Sequence, residues 1–265
     1  MSELIPFQEQ YGKMHKALNS PAMLQQLAAA LPAGSMTPER MVRLALTEIQ
    51  RVRKLAICTR ESFLGGLLTA TAMGLEIGVA GQGWLVPFYN AKQRAHEATL
   101  IVGYRGMAKL AYRGKVKDIE ARVVYEGDDF TFLFGDEGYI RHRPVFMSAD
   151  PLKATHAWVL IRTSQGGAVR DVMSREEIEK VRKRSRAGND GPWITDWPEM
   201  AKKTVFRRAA KYAPSSIELE RAIELDDQAD RGVPQDLDKV DAALLDMLPE
   251  APEAKEGEAE ASSLG

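Results

Sequence analysis

GWLVPFYNAKQRAHEATLIV, residues 83–102, is the stretch that decides the fold class. Its first seven residues read as an extended segment, the polar run Asn90–His96 as a hairpin loop, and EATLIV as the returning strand. Further strand-like segments follow, separated by turns rich in Gly, Asp and Ser: residues 120–125, 130–134, 155–163 and 168–173. The middle of the chain is therefore predicted to be an antiparallel β-meander.

Helix signals flank this region on both sides. Upstream, Thr37 caps one predicted helix and Thr59 another. Downstream, helices begin at the capping box Ser174–Glu177, at the Asp196–Glu199 signature and near Ser216. Helices, then antiparallel strands, then helices predict an α+β fold, without the alternating rhythm of a parallel βαβ sheet.

Charge is distributed unevenly along the chain. The formal net charge is −1, but residues 234–265 carry nine acids against two bases, a net of −7, which leaves +6 on residues 1–233. A basic body with an acidic tail predicts a polyanionic partner for the body. An excess of +6 over 233 residues is also typical of an ordinary solvated surface, so the positions of the cations must decide.

The composition changes near Pro234, after which Pro, Ala, Glu, Ser and Gly dominate. Such a segment buries too little apolar surface to offset the entropy of ordering. We therefore divide the chain into a helical or partly ordered segment over residues 1–34, an α+β core over residues 35–232, and an acidic, largely disordered tail over residues 233–265.

The motifs of several function classes are missing from the sequence. A P-loop needs a glycine-rich turn ending in Gly-Lys-Ser/Thr, whereas Gly81-Gln82-Gly83 has no third glycine. The four histidines lack the spacing of metal ligands, and the single cysteine, Cys58, has no nearby histidine. No long apolar run and no signal pattern predict a membrane segment. We expect neither a nucleotide nor a metal cofactor.

One acidic cluster leaves an enzymatic alternative open. Glu126, Asp128 and Asp129 lie close together in the sequence, and nucleases hold divalent ions with such carboxylates. Acids are also common in tight turns between strands, and we favour the interpretation that these three lie in such a turn.

The segment WPEMAKKTVFRRAAKY, residues 197–212, predicts a helix with two faces. Lys203, Arg207 and Lys211 recur at i, i+4 and i+8 and therefore stack along one face. Arg208 lies at the edge of this stripe, and apolar residues cluster on the opposite side. Evenly spaced cations suit the repeating phosphates of a nucleic acid, although a solvated basic helix face gives the same pattern. We expect the cationic face to be exposed to solvent.

Two more basic elements precede this helix. Residues 180–186 carry five cations and lead into a Gly-rich loop with Trp193. Such a pair of elements is typical of a groove where cations hold the backbone and bases stack on an aromatic ring, although Trp193 suits a core position equally well. On a helix predicted between the strands, the i, i+4, i+8 spacing recurs at Arg105, Lys109 and Arg113.

Four blocks of this sequence resemble, in order and spacing, the RecT family of phage and prophage recombination proteins. The most characteristic block is RSRAGNDGPWITDWPEMAKKTVFRRAAKY, residues 184–212. The others are QLAAALPAGSMTPERMVRLALTEIQRV (residues 26–52), VGYRGMAKLAYR (102–113) and ARVVYEGDDFTFLFG (121–135). The resemblance covers about residues 20–230, so it includes almost all of the predicted folded part.

The resemblance implies a non-enzymatic protein that binds single-stranded DNA, forms rings or filaments, and anneals complementary strands without ATP. It implies a core like that of Beta-type and ring-forming annealing proteins, and a place in the cytoplasm of a bacterial host. The implied partners are single-stranded DNA, the annealed duplex intermediate, further copies of the chain, a 5′→3′ exonuclease and the host single-strand binding protein. A membrane partner is not implied.

DNA contacts are assigned to the basic elements and one aromatic residue. Cations that hold phosphates leave base edges free to pair, which annealing requires. The assigned residues are Arg105, Lys109, Arg113, Arg122, Lys183, Arg186, Trp193, Lys202, Lys203, Arg207, Arg208 and Lys211.

Two questions stay open at the level of sequence. A protective single-strand binder that does not anneal would carry the same basic motifs. In the tail, DLDKVDAALLDML, residues 236–248, places four apolar residues near one helical face. The tail could recruit the exonuclease or the host single-strand binding protein, which we favour, or it could solubilise the protein or compete with DNA for the groove.

Overall fold

The computed structural model describes residues 7–145 and 150–250, in which it has ten α-helices and seven β-strands. The helices are α1 (Phe7–Leu18), α2 (Pro21–Ala30), α3 (Pro38–Arg51), α4 (Arg60–Ala72), α5 (Tyr104–Arg113), α6 (Arg175–Arg184), α7 (Pro192–Thr195), α8 (Trp197–Ala210), α9 (Ile217–Arg231) and α10 (Ala242–Leu245). The strands are β1 (Gly83–Asn90), β2 (Ala95–Val102), β3 (Val116–Tyr125), β4 (Asp129–Leu133), β5 (Tyr139–Arg143), β6 (Ala154–Thr163) and β7 (Ala168–Ser174). All the strand pairs are antiparallel, and the predicted α+β class is confirmed.

The chain divides into two compact units. Of the described residues, 7–103 and 234–250 form unit 1, and 104–145 and 150–233 form unit 2. Residues 234–250, which the composition assigned to a separate tail, thus belong to the same unit as residues 7–103. No helix in the described part of the chain is long and apolar enough to cross a membrane.

Unit 1 is built around α4 and the hairpin β1–β2. The helix is buried from Phe63 to Thr71, as its nearly continuous apolar sequence predicts. A Cβ atom at Gly66 would lie 2.7 Å from the Leu85 side chain in β1, so the close approach of helix and hairpin requires glycine. The hairpin pairs over its full predicted length, from Gly83 opposite Val102 to Asn90 opposite Ala95.

The C-terminal segment, residues 234–250, is held against unit 1 by hydrogen bonds. The Gln235 side chain accepts from the Leu100 backbone N–H and donates to its carbonyl, both at 2.8 Å. The Arg60 guanidinium donates to the Leu245 carbonyl at 3.1 Å. These contacts bind the segment to β2 and to the first turn of α4.

Apolar burial completes the docking of this segment. Leu244 and Leu248 are both 5% exposed, and they belong to the apolar face that the sequence left without a partner. Within residues 234–250 of the predicted tail, this face therefore packs on a surface of its own chain. The remainder of the predicted tail, residues 251–265, lies outside the described residues.

Replacing Leu244 by alanine should destabilise unit 1. Loss of a buried leucine side chain costs about 2–5 kcal/mol of unfolding free energy, which urea denaturation would measure. Met247→Ala serves as the control, because Met247 is exposed at the end of the same turn and its truncation should cost about 0.5 kcal/mol or less. Equal unfolding midpoints for the two variants would contradict the docked arrangement.

Unit 2 is built on a three-stranded sheet in the order β3–β6–β7. Trp158 of β6 packs with Val124 and Val172 against the separate hairpin β4–β5. The alternate residues of β6, such as Val159, point to the opposite face, which is buried where α8 packs across the sheet. The sheet therefore has a helix on one face and a hairpin on the other.

The strand β5 is absent from the sequence-based prediction. Its sequence YIRHR, residues 139–143, contains two arginines and a histidine and only one β-branched residue, Ile140, so it gives little strand signal. It pairs with β4 from Asp129 opposite Arg143 to Leu133 opposite Tyr139. The turn GDEG, residues 135–138, is one of the predicted Gly- and Asp-rich turns. The sequence therefore indicated that the chain reverses after β4, but not that the following segment is a strand paired with it.

Candidate nucleic-acid interface

The apolar face of α8 packs as the sequence predicts. Phe206 is fully buried, and its ring meets that of Tyr104 in α5 edge to face, with 5.4 Å between the centroids. Trp197 at the start of the helix is also buried, and its indole N–H donates to the Glu179 carboxylate at 2.8 Å. These contacts join α8 to α5 and α6.

The cationic stripe of α8 is not a free surface. Lys203 is only 8% exposed, and its ammonium lies 2.6 Å from the Asp226 carboxylate of α9. Arg207 contacts the carboxylates of Asp226, at 2.7 Å, and of Asp230. The expected solvent exposure of these two cations is wrong, because a row of aspartates on α9 faces them.

The ionisation of this cluster reflects burial and mutual attraction. Burial alone lowers the pKa of Arg207, but the carboxylates of Asp226, Asp230 and Asp227 outweigh it and raise that pKa above its ordinary value. Burial raises the pKa of Asp226, and its two cationic neighbours oppose that rise only in part. Removing Arg207 would thus leave the buried Asp226 with one cation instead of two and would break the pair with Asp230.

Arg207→Ala should therefore unfold the protein more easily. The expected loss of unfolding free energy is roughly 3–5 kcal/mol, the cost of breaking a buried ion pair by removing one partner. Lys211→Ala is the matched control one turn further along, because the Lys211 side chain is 58% exposed, and it should cost about 0.5 kcal/mol or less. Thermal or urea denaturation checks both, and similar losses would place Arg207 outside the buried cluster.

A cleft of about 420 Å³ lies among α6, α8 and α9 of unit 2. Arg184, Lys211 and Arg231 line it and are exposed. Asp227 stands between the latter two, 3.9 Å from the Lys211 ammonium and 4.0 Å from the Arg231 guanidinium. The other lining residues are Met173, Val181, Ser185, Thr204, Arg207, Arg208 and Asp230.

The basic segment 180–186 and the helix predicted at residues 197–212 thus both contribute to one cleft. The sequence assigned Arg207, Arg208 and Lys211 of this lining, and it missed Arg184 and Arg231. Arg184 lies in the basic run that was recognised, and a 3.6-residue period through that run would have placed it one turn beyond Lys180. Arg231 gives no such signal, because its helix is otherwise rich in acids.

The remaining assigned residues near the cleft have different surroundings. Arg208 makes a bidentate contact with Asp171 of β7, at 2.6 and 2.7 Å, which joins α8 to the sheet. Lys202 lies 2.6 Å from Glu199, one turn earlier on α8. Trp193 is 2% exposed and is a core residue in this arrangement, so its ring has no free face for a base.

Other assigned cations lie on the surface. Lys183 is exposed on α6, and Arg186 is exposed in the loop that follows it. On α5 the described structure has Arg105 and Arg113 exposed and Lys109 partly exposed; on β3 the Arg122 side chain is exposed and 3.5 Å from Glu120. These residues do not line the cleft.

The acidic cluster proposed as a metal site has a structural explanation. Asp128 accepts from the Tyr125 and Val145 backbone N–H groups, each at 2.9 Å. It also lies 2.9 Å from His142 Nε2, and the Trp158 indole donates to His142 Nδ1 at 3.0 Å. Since Nδ1 accepts, Nε2 must carry the proton that is donated to Asp128. The carboxylate therefore fastens the base of the hairpin β4–β5.

Asp128→Asn should destabilise unit 2 by about 1–3 kcal/mol, because buried donors lose an acceptor. Burial alone raises the pKa of Asp128, but its hydrogen bonds lower the pKa below the ordinary 3.8. Its contribution to stability is then full above pH 3.8 and is lost as the pH falls through the depressed pKa. The stability difference from the wild type should shrink in that acidic range.

The exposed neighbour Asp129 provides the control for this experiment. Asp129→Asn should leave the unfolding free energy nearly unchanged at every pH. If both substitutions instead abolished magnesium-dependent cleavage of labelled DNA without changing stability, the nuclease alternative would be supported and the structural role of Asp128 rejected.

Comparison with known proteins gives two matches. The model of a family described as the RecT family matches residues 39–241. Protein RecT of Escherichia coli (strain K12) is 44% identical over 232 residues, which cover 86% of this chain and 84% of that protein. The first match includes the cleft of unit 2 with all its lining residues.

Proposed function

Because the chain belongs to the RecT family, we propose that it binds single-stranded DNA and anneals complementary strands without ATP. Membership makes it a recombination protein of the phage type. The observation that carries the finer proposal is the cleft among α6, α8 and α9, with the cations Arg184, Lys211 and Arg231 exposed along it. The cleft is our proposed location for the polyanion that the sequence predicts.

The cleft suits the backbone of a nucleic acid better than its bases. Its polar groups are mainly guanidinium, ammonium and carboxylate, and they include cations that can contact phosphates. The pairs that Lys211 and Arg231 form with Asp227 are long and exposed, so a phosphate can replace the carboxylate at little cost. Contacts to the backbone leave the base edges free for a complementary strand.

Annealing can then proceed without an external energy source. Bringing two strands together is opposed by phosphate repulsion, which bound cations screen. Base pairing and stacking in the product supply the driving force. Asp227 and Asp230 lie beside the cations of the cleft, so each phosphate contact is exchangeable, and a strand can shift its register until it pairs.

Repetition of the cleft in an oligomer would present cations along a continuous strand. We include rings or filaments of the chain in the proposal, together with a 5′→3′ exonuclease and the host single-strand binding protein as partners. The C-terminal segment supports a partner contact through its exposed acids, such as Asp241 and Asp246. Leu244 and Leu248 of this segment are buried within unit 1, so a partner would contact the exposed acids and not these leucines.

Arg184→Ala is the sharpest test of the cleft. It should weaken binding of a labelled mixed-sequence oligonucleotide roughly tenfold at low salt and reduce the slope of log affinity against log salt by about 0.7. Lys180→Ala is the matched control on the same helix, because Lys180 is exposed and paired with Glu176 outside the cleft. Fluorescence anisotropy across a salt series measures both, and a flat salt dependence of the wild type would reject the cleft.

Strand annealing separates the proposal from a protective single-strand binder. The rate of duplex formation between two labelled complementary oligonucleotides should rise in the presence of the protein, with or without ATP, and Arg184→Ala should reduce the rise. A protein that binds single strands but slows pairing would establish the protective binder instead.

A further inference from the structure

The hairpin β4–β5 of unit 2 carries a row of phenyl rings that runs out of the core. Phe130 and Phe132 project on the same face because side chains alternate along a strand, and Phe134, the first residue after β4, continues their row. Their ring centroids are 5.5 and 5.3 Å apart. The innermost ring packs against the core cluster of the sheet, whereas Phe132 is 40% and Phe134 53% exposed.

The outer rings leave their faces available to another planar group. Phe132 is tilted by 35° from Phe130 and by 60° from Phe134, so the rings do not cover one another face to face. Exposed neighbouring aromatic side chains are costly in water and mark a contact site. In the described part of the chain, the base of the hairpin is fastened through Asp128, His142 and Trp158, and the outer rings project beyond it.

One cation of the hairpin lies beside the exposed rings, while the acids Asp136 and Glu137 lie in the turn between the strands. Arg141 is exposed on β5, and its guanidinium lies over the Tyr139 ring, 4.8 Å from the centroid. Its cross-strand partner is Thr131 and not an acid. A cation held in place next to exposed rings is the combination with which proteins bind single-stranded nucleic acid, since rings stack on bases and cations hold phosphates.

We propose that the outer half of this hairpin is a second contact for single-stranded DNA, where unpaired nucleobases stack on Phe132 and Phe134 and Arg141 takes a phosphate. The proposal rests on the function proposed above, and it adds a site that recognises bases to a cleft that recognises the backbone. Because duplex bases are stacked on one another, the rings can hold only unpaired strands. The hairpin therefore gives the protein a preference for single strands over duplex, which the cleft alone does not.

The test compares two oligonucleotides of equal length, one of thymidines and one with abasic sites throughout. The double variant Phe132→Ala/Phe134→Ala should bind the thymidine strand on the order of tenfold more weakly than the wild type. On the abasic strand the two proteins should bind alike, because only the phosphates remain. Arg141→Ala should instead weaken binding to both strands.

Conservative variants separate stacking from a protein contact. Phe132→Tyr/Phe134→Tyr keeps the rings and should retain affinity, whereas Phe132→Leu/Phe134→Leu keeps the apolar surface and should lose affinity as the alanines do. Leu152→Ala, an exposed apolar residue of unit 2 outside the hairpin, is the control and should bind like the wild type. All the variants should remain folded at the assay temperature, as their melting temperatures will show, since Phe132 and Phe134 are 40% and 53% exposed.

Photocrosslinking provides an independent readout. A strand containing 5-iodouracil should crosslink to Phe132, Phe134 or Tyr139, all of which lie in the tryptic peptide of residues 123–141. A crosslink to this peptide that the alanine variant loses supports the proposal. Crosslinks confined to other peptides overturn it.

Two results would overturn the hairpin site while leaving the cleft intact. One is an equal loss of affinity for both strands in the alanine variant. The other is a leucine variant that binds like the wild type while the alanine variant changes its sedimentation, which would identify a second copy of the chain as the occupant. Failure of the wild type to bind either strand would reject the cleft and the hairpin together.

Discussion

Two cations of α8 leave water when the protein folds, and the arrangement of unit 2 follows from how their charge is compensated. Removing an ion from water costs on the order of several kcal/mol unless a partner accompanies it. Lys203 and Arg207 find their partners in Asp226 and Asp230, which α9 supplies. The aspartates of α9 therefore hold that helix against the cationic face of α8, while Phe206 on the opposite face of α8 packs against Tyr104 of α5.

The same interaction creates the cleft. Long side chains bridge α8 and α9, so a space of about 420 Å³ remains among these helices and α6. Arg207, which lines this space, is neutralised by aspartates, whereas Lys211 and Arg184 remain exposed along it. On α8, Lys203 and Arg207 thus serve stability, whereas Lys211 of the same stripe is available for recognition. Substitutions along the stripe therefore have different expected effects at each residue.

The hairpin β4–β5, on the other face of the sheet, is also held by buried polar groups that find partners. Its base is polar but fully hydrogen-bonded, through the chain from the Trp158 indole to His142 and on to Asp128. A satisfied buried network of this kind fixes one geometry, because any other leaves a donor or acceptor without a partner. The anchored base allows exposed rings to project at a defined position, which a flexible loop would not achieve.

The sequence by itself determined the local structure and the family. The Thr37 cap, the Ser174 capping box and the alternation in residues 83–102 depend on neighbouring residues, and the helices and strands begin and end close to where they predict. Only the tertiary structure decided which cations are available, because the periodicity of α8 reveals that Lys203 and Arg207 share a face but not that aspartates more than 15 residues away cover it. It likewise decided that β5 pairs with β4 and that residues 234–250 dock on unit 1. In each case the deciding partner is distant in sequence, and burial of charge or of apolar surface depends on that partner rather than on the segment itself.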